Sequence, residues 1–434
     1  MNPLNRIRLI APDYLKYNQP ARLIAGGLLG LLNSVGASRD SNSAAEKLLK
    51  LTFAARLCGR GRLSAAIERK IQSTLKKWSI ENFDWDKFFP DSKPKLVQRS
   101  LILKRPGANG EKGVLFVAFE YNWLRLLRNA NLKELARDYD LVLSPTWSPP
   151  HDLPFLVAYR LWPSTLFTIL SNFDDEPVFQ RLAPNVVTIP LLASSWVDPT
   201  VFESKASQEK RFDIVVLSNF ATYKRHFALF RAVSRMHKKV RVLILGRKWG
   251  NRTRSDLERE AKLFGVFDQI TIAESLPDDK MIEAMQSGKV SLIMSMGEGA
   301  CVAVSESLFA DVPVGVIQGA NVGSRAFINP KTGRFLRRNN IADDLEAFVS
   351  EFSAYSPRKW MLENKISSLD SSRVLNDCLK QRAVSEGRVW TTDVATMHWR
   401  PYPVFASTVD RESMRMEYER FESAYGVRIE PDVK

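Results

Sequence analysis

From Phe212 onward the sequence alternates apolar runs of strand length with helical, amphipathic ones, and that alternation narrows the fold more than any single residue does. "FDIVVLSNF" (Phe212–Phe220) reads as a strand, "KRHFALFRAVSRM" (Lys224–Met236) as a helix and "VRVLILG" (Val240–Gly246) as a strand. "RSDLEREAKLFGV" (Arg254–Val266), "QITIAES" (Gln269–Ser275), a helix over Asp278–Ser287 and the strand "KVSLIMS" (Lys289–Ser295) continue the series. "VPVGVI" (Val312–Ile317) and a helix from Ala342 follow. Parallel strands need crossover connections, which helices supply, and strands covered on both faces read as unbroken apolar runs. The predicted architecture is a doubly wound α/β domain.

A shorter version lies upstream. "KGVLFVAF" (Lys112–Phe119), the helical pattern of Leu124–Asp140 and "LVLSPTW" (Leu141–Trp147) make a βαβ unit, with strand-like runs after it at Thr165–Phe173 and Asn185–Leu192. The polar segment Ser194–Lys210, which contains Pro199, reads as a linker. The expected fold class is therefore α/β: two Rossmann-like, doubly wound domains facing across a cleft, with a helical basic N-terminal extension. The expected boundaries are 1–110 for the extension, 111–205 and 206–400 for the two domains, and 401–434 for a C-terminal helix over Ser407–Gly426 packing back on the first domain.

In the extension, Leu48, Leu49, Leu51, Phe53, Leu57, Leu63, Ile67, Ile71 and Leu75 recur at helical spacing among nine lysines and arginines from Lys47 to Lys77. Such a face is either solvated over a core stripe or suited to anionic lipid head groups. The whole chain carries 63 Lys and Arg against 48 Asp and Glu, a net charge of +15 that bears on partners more than on fold. With 45% apolar and 26% charged residues, disorder throughout is excluded. The apolar stretch Arg22–Ala37 is shorter than the roughly 20 residues that span a bilayer, so it is expected to pack on protein or lie on a surface. The N-terminus lacks a signal peptide's apolar core and cleavage site. Cys58, Cys301 and Cys378 have neither disulfide-framework nor zinc-site spacing. The expected location is cytoplasmic, peripheral at the inner membrane face if the basic helices bind lipid.

The stretch most suggestive of chemistry is "MGEGACVAVSESLFADVPV" (Met296–Val314), delivered by the strand "KVSLIMS". Ligands of doubly wound sheets gather at the carboxyl ends of the strands, which places Glu298, between Gly297 and Gly299, where a ligand binds. With a helix starting near Gly299, Glu306 falls on the order of 12 Å from Glu298 at about 1.5 Å per residue. A glycosidase pair needs roughly 5–9.5 Å, so these carboxylates are spaced to hold two ends of an extended ligand. A diphosphate between them would meet the N–H groups of a helix N-terminus, and a carboxylate at the far end can take ribose hydroxyls. The plainer alternative is a capping Glu298 and a solvated Glu306. A Glu306 facing inward among Val302, Val304, Leu308 and Phe309 would require a partner.

These residues resemble the retaining group 1 glycosyltransferases of GT-B fold, the bacterial glycan-assembly type. That family's signature runs E-G-F-G, then E-A-M-A, then a small residue and P-V-V, with seven residues between its glutamates. Here Glu298, Gly299, Glu306 and Pro313 keep register. The resemblance extends over about Phe212–Phe348: "LSNFATYKRH" and "LILGRKWG" match strand-end turns, and Gly323, Thr332 and Gly333 match a later segment. It implies a sugar transfer from a nucleotide-diphosphate sugar to a glycan or lipid-linked acceptor, with retention, in cell-surface polysaccharide or glycoconjugate synthesis. It implies no cofactor beyond that donor; no metal and no nucleic acid are expected, since no motif for either is well placed, and the basic helices and net charge are consistent with an anionic membrane surface as partner.

Carried onto this chain, the resemblance makes Glu298 the grip on the transferred sugar and Glu306 the grip on the ribose. Lys224 or Arg225 would neutralise the leaving diphosphate, and His151, in the loop "SPTWSPPHDLP", would face the donor. Ser218, Asn219, Gly246, Gly297, Gly299, Ala300 and Cys301 would line it. Asn219 stands where the family usually has arginine, Arg325 where glutamate is common, and Ala300–Cys301 where it has Phe-Gly. A GT-B-like scaffold that binds a nucleotide-sugar or glycan without turnover is the alternative. His226 looks incidental beside the basic pair, and His237 and His398 have no chemical context. The Asp-x-Asp triplets at Asp84–Asp86 and Asp138–Asp140 are misplaced relative to strand ends for metal binding.

Overall fold

The computed structural model describes residues 3–34, 40–59, 61–203, 209–400 and 402–431. It has two compact units, each with its own parallel α/β sheet, and the fold is the α/β, GT-B-like one expected. One unit is split in sequence, Tyr17–Trp196 and Ser368–Lys434, and is called here the bracketing unit; the other, Met1–Lys16 and Val197–Ser367, is the inserted unit.

The N-terminal helix α1 (Pro3–Tyr17) is followed in the bracketing unit by α2 (Gln19–Leu32), α3 (Ser41–Cys58) and α4 (Arg62–Lys77). Asn18 caps α2 by accepting the Ala21 N–H at 3.0 Å, and Asp40 caps α3 through Asn42 and Ser43. After α5 (Trp85–Phe88) come β1 (Leu96–Gln98), β2 (Ser100–Lys104), β3 (Gly113–Ala118), β4 (Tyr139–Ser144), β5 (Leu166–Leu170) and β6 (Val186–Leu192). Strands β2 to β6 form one sheet in chain order, parallel except for the β2–β3 pair, and every residue of β2 to β5 is buried. The helices are α6 (Glu120–Asn129), α7 (Leu132–Asp138), α8 (Leu153–Leu161) and α9 (Glu176–Leu182). The single helix expected over Leu124–Asp140 is thus two: Asn131 caps α7, and Asp140 already lies in β4.

The inserted unit carries β7 (Phe212–Leu217), β8 (Val242–Gly246), β9 (Ile270–Glu274), β10 (Gly288–Ile293), β11 (Gly297–Glu298), β12 (Val314–Ile317), β13 (Asn321–Val322) and β14 (Gly333–Leu336). Its helices are α10 (His226–Val233), α11 (Arg254–Phe264), α12 (Asp278–Gln286), α13 (Val302–Phe309), α14 (Ile341–Ser350) and α15 (Pro357–Glu363). Six strands pair in the order β14-β12-β10-β7-β8-β9, all parallel. From β7 the chain winds outward through β8 and β9, then returns to β10 on the other side and continues to β12 and β14. The order therefore reverses between β7 and β10, and the crevice beyond their carboxyl ends is where such sheets bind ligands.

The chain then returns to the bracketing unit with α16 (Ser368–Ser385), the hairpin β15 (Met397–Trp399) and β16 (Pro403–Phe405), α17 (Thr408–Ser413), α18 (Arg415–Tyr425) and β17 (Arg428–Glu430). Residues 368–400, expected with the second domain, pack on the first sheet instead: α16 lies against β6, and Ser371 Oγ donates to the Ser195 carbonyl at 2.9 Å. The final helix breaks at Met414, and β17 completes a parallel pair with β1. Both Asp-x-Asp triplets are engaged by the protein. Asp84 caps α5, Asp86 takes Arg128 and Lys93, Asp138 takes Arg137 and Tyr425, and Asp140 takes Arg388.

Candidate functional site

The carboxyl end of β10 runs through buried Met294, Ser295 and Met296 into β11, which pairs in parallel with β13 (Gly297↔Asn321, Glu298↔Val322). A further bond, Gly323 N–H to the Gly299 carbonyl at 2.8 Å, ties the bend that follows to the same neighbour. The following helix therefore begins at Val302, three residues later than the spacing suggested, and Cys301 precedes it in the left-handed region at φ 48°. Arg225, just before α10, is left-handed as well at φ 57°. Non-glycine residues there store strain, which concentrates at functional sites.

Glu298 is held from two sides. Lys224 Nζ lies 2.6 Å from Oε2, and the Ser295 hydroxyl donates to Oε1. Both members of the ion pair are largely shielded, with 12% and 9% of their side chains exposed. Burial pulls the Lys224 pKa down, but Glu298 outweighs it and holds the ammonium above its usual range. An ion pair of this kind contributes one cation and one anion at the strand ends.

Arg225 does not share that role. Its guanidinium grips both carboxylate oxygens of Asp13 from α1 at 2.7 and 2.8 Å and donates to the Met294 carbonyl at 2.8 Å, with 8% of the residue exposed. The fork is paired with a carboxylate 212 positions away, and with the Met294 contact it ties the start of α10 to the end of β10. A second partner within the unit, the Leu263 carbonyl, takes Arg6 Nε at 2.9 Å and helps seat α1.

His226, set aside on sequence grounds as incidental, is the first residue of α10, buried, with Nε2 2.9 Å from the Ser218 Oγ at the end of β7. Burial pushes its pKa down to about 3, so the ring is neutral. Asn219 Oδ1 accepts the Ala221 N–H at 3.2 Å and shapes the turn. Gly246 serves packing: a Cβ there would stand 2.0 Å from the Ser218 carbonyl oxygen. At Gly297, exposed, an added Cβ would meet nothing within 4 Å. Ala300 and Cys301 are buried, and burial raises the Cys301 thiol well above its usual range.

Glu306 lies in the second turn of α13, only partly exposed, and its carboxylate makes no hydrogen bond or ion pair among the described residues. Burial pushes its pKa up to about 7, and the Asp278 charge adds to the effect. Such a carboxylate needs donors that the protein does not supply. His151 belongs to the bracketing unit, where both ring nitrogens are shielded without a hydrogen-bond partner. Burial and then Arg56 lower its pKa to about 4 against the opposing pull of Asp152.

Arg247, which sequence reasoning passed over, follows β8; its carbonyl accepts the Phe220 N–H at 2.9 Å, so it stands beside Asn219, and its side chain is exposed. The signal was present in "LILGRKWG", in the first charged residue after an apolar run. Ser295 and Asp13 were also missed, the first because a serine at a strand end is common, the second because nothing local connects it to Arg225.

Residues 197–357, within the inserted unit, match the family model described as glycosyl transferases group 1. No curated protein matches the chain. Among solved structures the chain is similar to sucrose-phosphate synthase from Thermosynechococcus elongatus, with TM-score 0.51 and 12% identity over 63% of this chain and 74% of that one. It is also similar to HepE from Anabaena in complex with UDP, with TM-score 0.50 and 11% identity over 61% and 78%. At such identities the likeness is one of fold.

Proposed function

We propose that the chain is a hexosyltransferase that moves a sugar from a nucleotide-diphosphate sugar to a glycan or lipid-linked acceptor, with retention of anomeric configuration, in cell-surface polysaccharide or glycoconjugate synthesis. One observation carries the reading: Glu298 and the unpartnered carboxylate of Glu306 lie along the segment leaving β10, with Glu298 paired to Lys224 of the connection leaving β7, at the point where the strand order reverses. The group 1 match over the same residues supports it, as does the UDP bound to HepE, a protein of like fold.

In this reading Glu298, fixed by Lys224 and Ser295, has oxygen lone pairs left for hydroxyls of the transferred sugar. Glu306 accepts ribose hydroxyls, which supply the missing donors. Lys224 keeps two N–H groups for the diphosphate, and its fixed charge stabilises the leaving group as negative charge develops on it. Arg247 is the exposed cation that can stand in for the arginine absent at Asn219. Arg225, through Asp13 and Met294, acts as a positioning residue. The chemistry asks for no protein-bound metal, since lysine, arginine and helix N–H groups meet the anion.

The commitment of Arg225 to Asp13 favours a second reading, a nucleotide-sugar-binding scaffold with too little positive charge for turnover. Incubation with a panel of nucleotide-sugars and a membrane extract, followed by mass spectrometry, separates the two. Release of nucleoside diphosphate that is lost in Lys224→Ala supports the transferase. Binding of a donor without any release supports the scaffold, and absence of binding overturns both.

A further inference from the structure

Helix α2 is built the wrong way round for a helix of a water-soluble surface. Its buried residues are Gly26 and Gly30, while its large apolar side chains face outward: Ile24 is 65% exposed, Leu28 58%, Leu31 67% and Leu32 75%. The glycines are there because α2 lies tightly on its neighbours. A Cβ on Gly26 would fall 2.6 Å from the Cys58 sulfur and 2.9 Å from the Ala54 carbonyl, and one on Gly30 would fall 2.9 Å from Ile67. The helix is thus clamped flat in the groove between α3 and α4 with a leucine face turned out, and an exposed contiguous apolar face marks an interaction site.

Charge identifies what meets that face. Residues 19–77 hold eleven lysines and arginines against three acidic residues, a net +8 of the chain's +15, and α2 itself has no acidic residue. Two of those acids are neutralised within the bracketing unit, Glu46 by Lys87 and Glu68 by Arg181. The helix stripes that cradle α2 continue past its end into lysines: Ile67 is followed by Lys70 and Lys77 on α4, and Ala54 is preceded by Lys50 and Lys47 on α3. Lys47, Lys70 and Lys77 are close enough that the last two, after burial, lower the Lys47 pKa. A second copy would bring +8 against +8, so self-association through this face is disfavoured. At 14 residues α2 is about 21 Å long, too short to cross a bilayer of about 30 Å, and no described helix is long and apolar enough to span one.

We infer that α2 is an in-plane membrane anchor: its leucine face enters the acyl boundary of an anionic bilayer while the lysines of α3 and α4 meet the head groups. An apolar face for the lipid interior flanked by basic residues is the pattern of interfacial helices, here carried as a rigid, preformed face. The sequence offered the amphipathic α3–α4 stripe for lipid contact; in the structure Ala54, Cys58, Leu63 and Ile67 of that pair seat α2, while Leu49 and Phe53 stay exposed. The inference does not depend on the sugar-transfer reading, because its test needs no donor.

The full chain is to be sedimented with phosphatidylglycerol vesicles and with phosphatidylcholine vesicles at low and high salt. Strong binding to the former, falling at high salt, and at least about tenfold weaker binding to the latter is expected. The double variant Leu28→Glu/Leu31→Glu, whose side chains are exposed in the fold, should lower binding about tenfold without lowering Tm. Lys47→Glu/Lys70→Glu should lower it comparably and remove the salt dependence. Failure of the wild type to bind anionic vesicles overturns the inference, as does binding that survives the leucine variant. A concentration-dependent dimer abolished by Leu28→Glu/Leu31→Glu overturns it in favour of a protein interface.

Discussion

A lysine–glutamate pair withdrawn from bulk water occurs in each unit, and in both the nitrogen and oxygen stand 2.6 Å apart. In the bracketing unit the protein closes over the pair and meets the needs of the carboxylate. Lys104 Nζ lies 3.4 Å from the centre of the Trp390 ring, and Glu111 also takes the Thr391 N–H at 2.7 Å and the Thr391 hydroxyl. Burial raises the Glu111 pKa, but Lys104 and Thr391 outweigh it and hold the carboxyl at about 2, while burial draws Lys104 down. The pair staples the strand pair β2–β3 to the returning C-terminal segment. In the inserted unit Lys224 and Glu298 keep hydrogen-bonding capacity that no side chain uses, strained backbone lies at Arg225 and Cys301, and Glu306 has no partner among the described residues. Distance does not separate a staple from a site; the closure of the first pair by Trp390 and Thr391, and the access left to the second, do.

The contrast can be broken most sharply at the lysines. Lys224→Ala should reduce kcat/KM for sugar transfer on the order of 10²–10³-fold, in steady-state assays with the donor found active. Lys104→Ala should leave activity per folded molecule unchanged while costing roughly 3–5 kcal/mol in urea unfolding, because it strands a buried carboxylate. If both variants lost activity without losing stability, the distinction would collapse. A smaller effect is expected at Glu306→Gln, about tenfold weaker affinity for the nucleoside diphosphate by calorimetry.

The smallest concerns pH. Hydroxyl donors favour the ionised Glu306, so binding must remove its proton, and affinity should rise about fivefold from pH 6 to 8. Glu306→Gln should abolish that rise. The sign for stability is opposite to that of an ordinary carboxylate. With a folded pKa of about 7 against 4.5, ligand-free Glu306 favours the fold below the unfolded value, and that contribution is lost as pH rises through 7. Wild type should therefore lose Tm relative to Glu306→Gln between pH 5 and 8.

Much of the inserted unit was readable because each of its main strands is a local apolar run; β7, β8 and β9 fall inside the stretches marked from sequence. The start of α13 was misplaced because the two-residue bridge β11–β13 depends on Asn321, well downstream. Glu298 and Glu306 could be marked as candidates from spacing. The fate of Arg225 could not, since Asp13 lies on a helix 212 residues earlier. Residues 368–400 were assigned by proximity in sequence, whereas what decides their place is the face of β6 that α16 covers. Local periodicity carries the elements, and pairings between distant residues carry the rest.

The bracketing arrangement sets a schedule for synthesis. A ribosome adds about 5–20 residues per second, so Asp13 is made about 10–40 s before the arginine that will hold it. Strand β1 waits longer still for β17, which lies far downstream of it. Throughout that interval the six-stranded inserted unit can close on its own, while the first sheet stands without α16 and the apolar α2 face is already exposed. For this chain the vulnerable period of biogenesis lasts until after its inserted unit is complete, and holding the early helices apart from other nascent chains is the task that falls to chaperones.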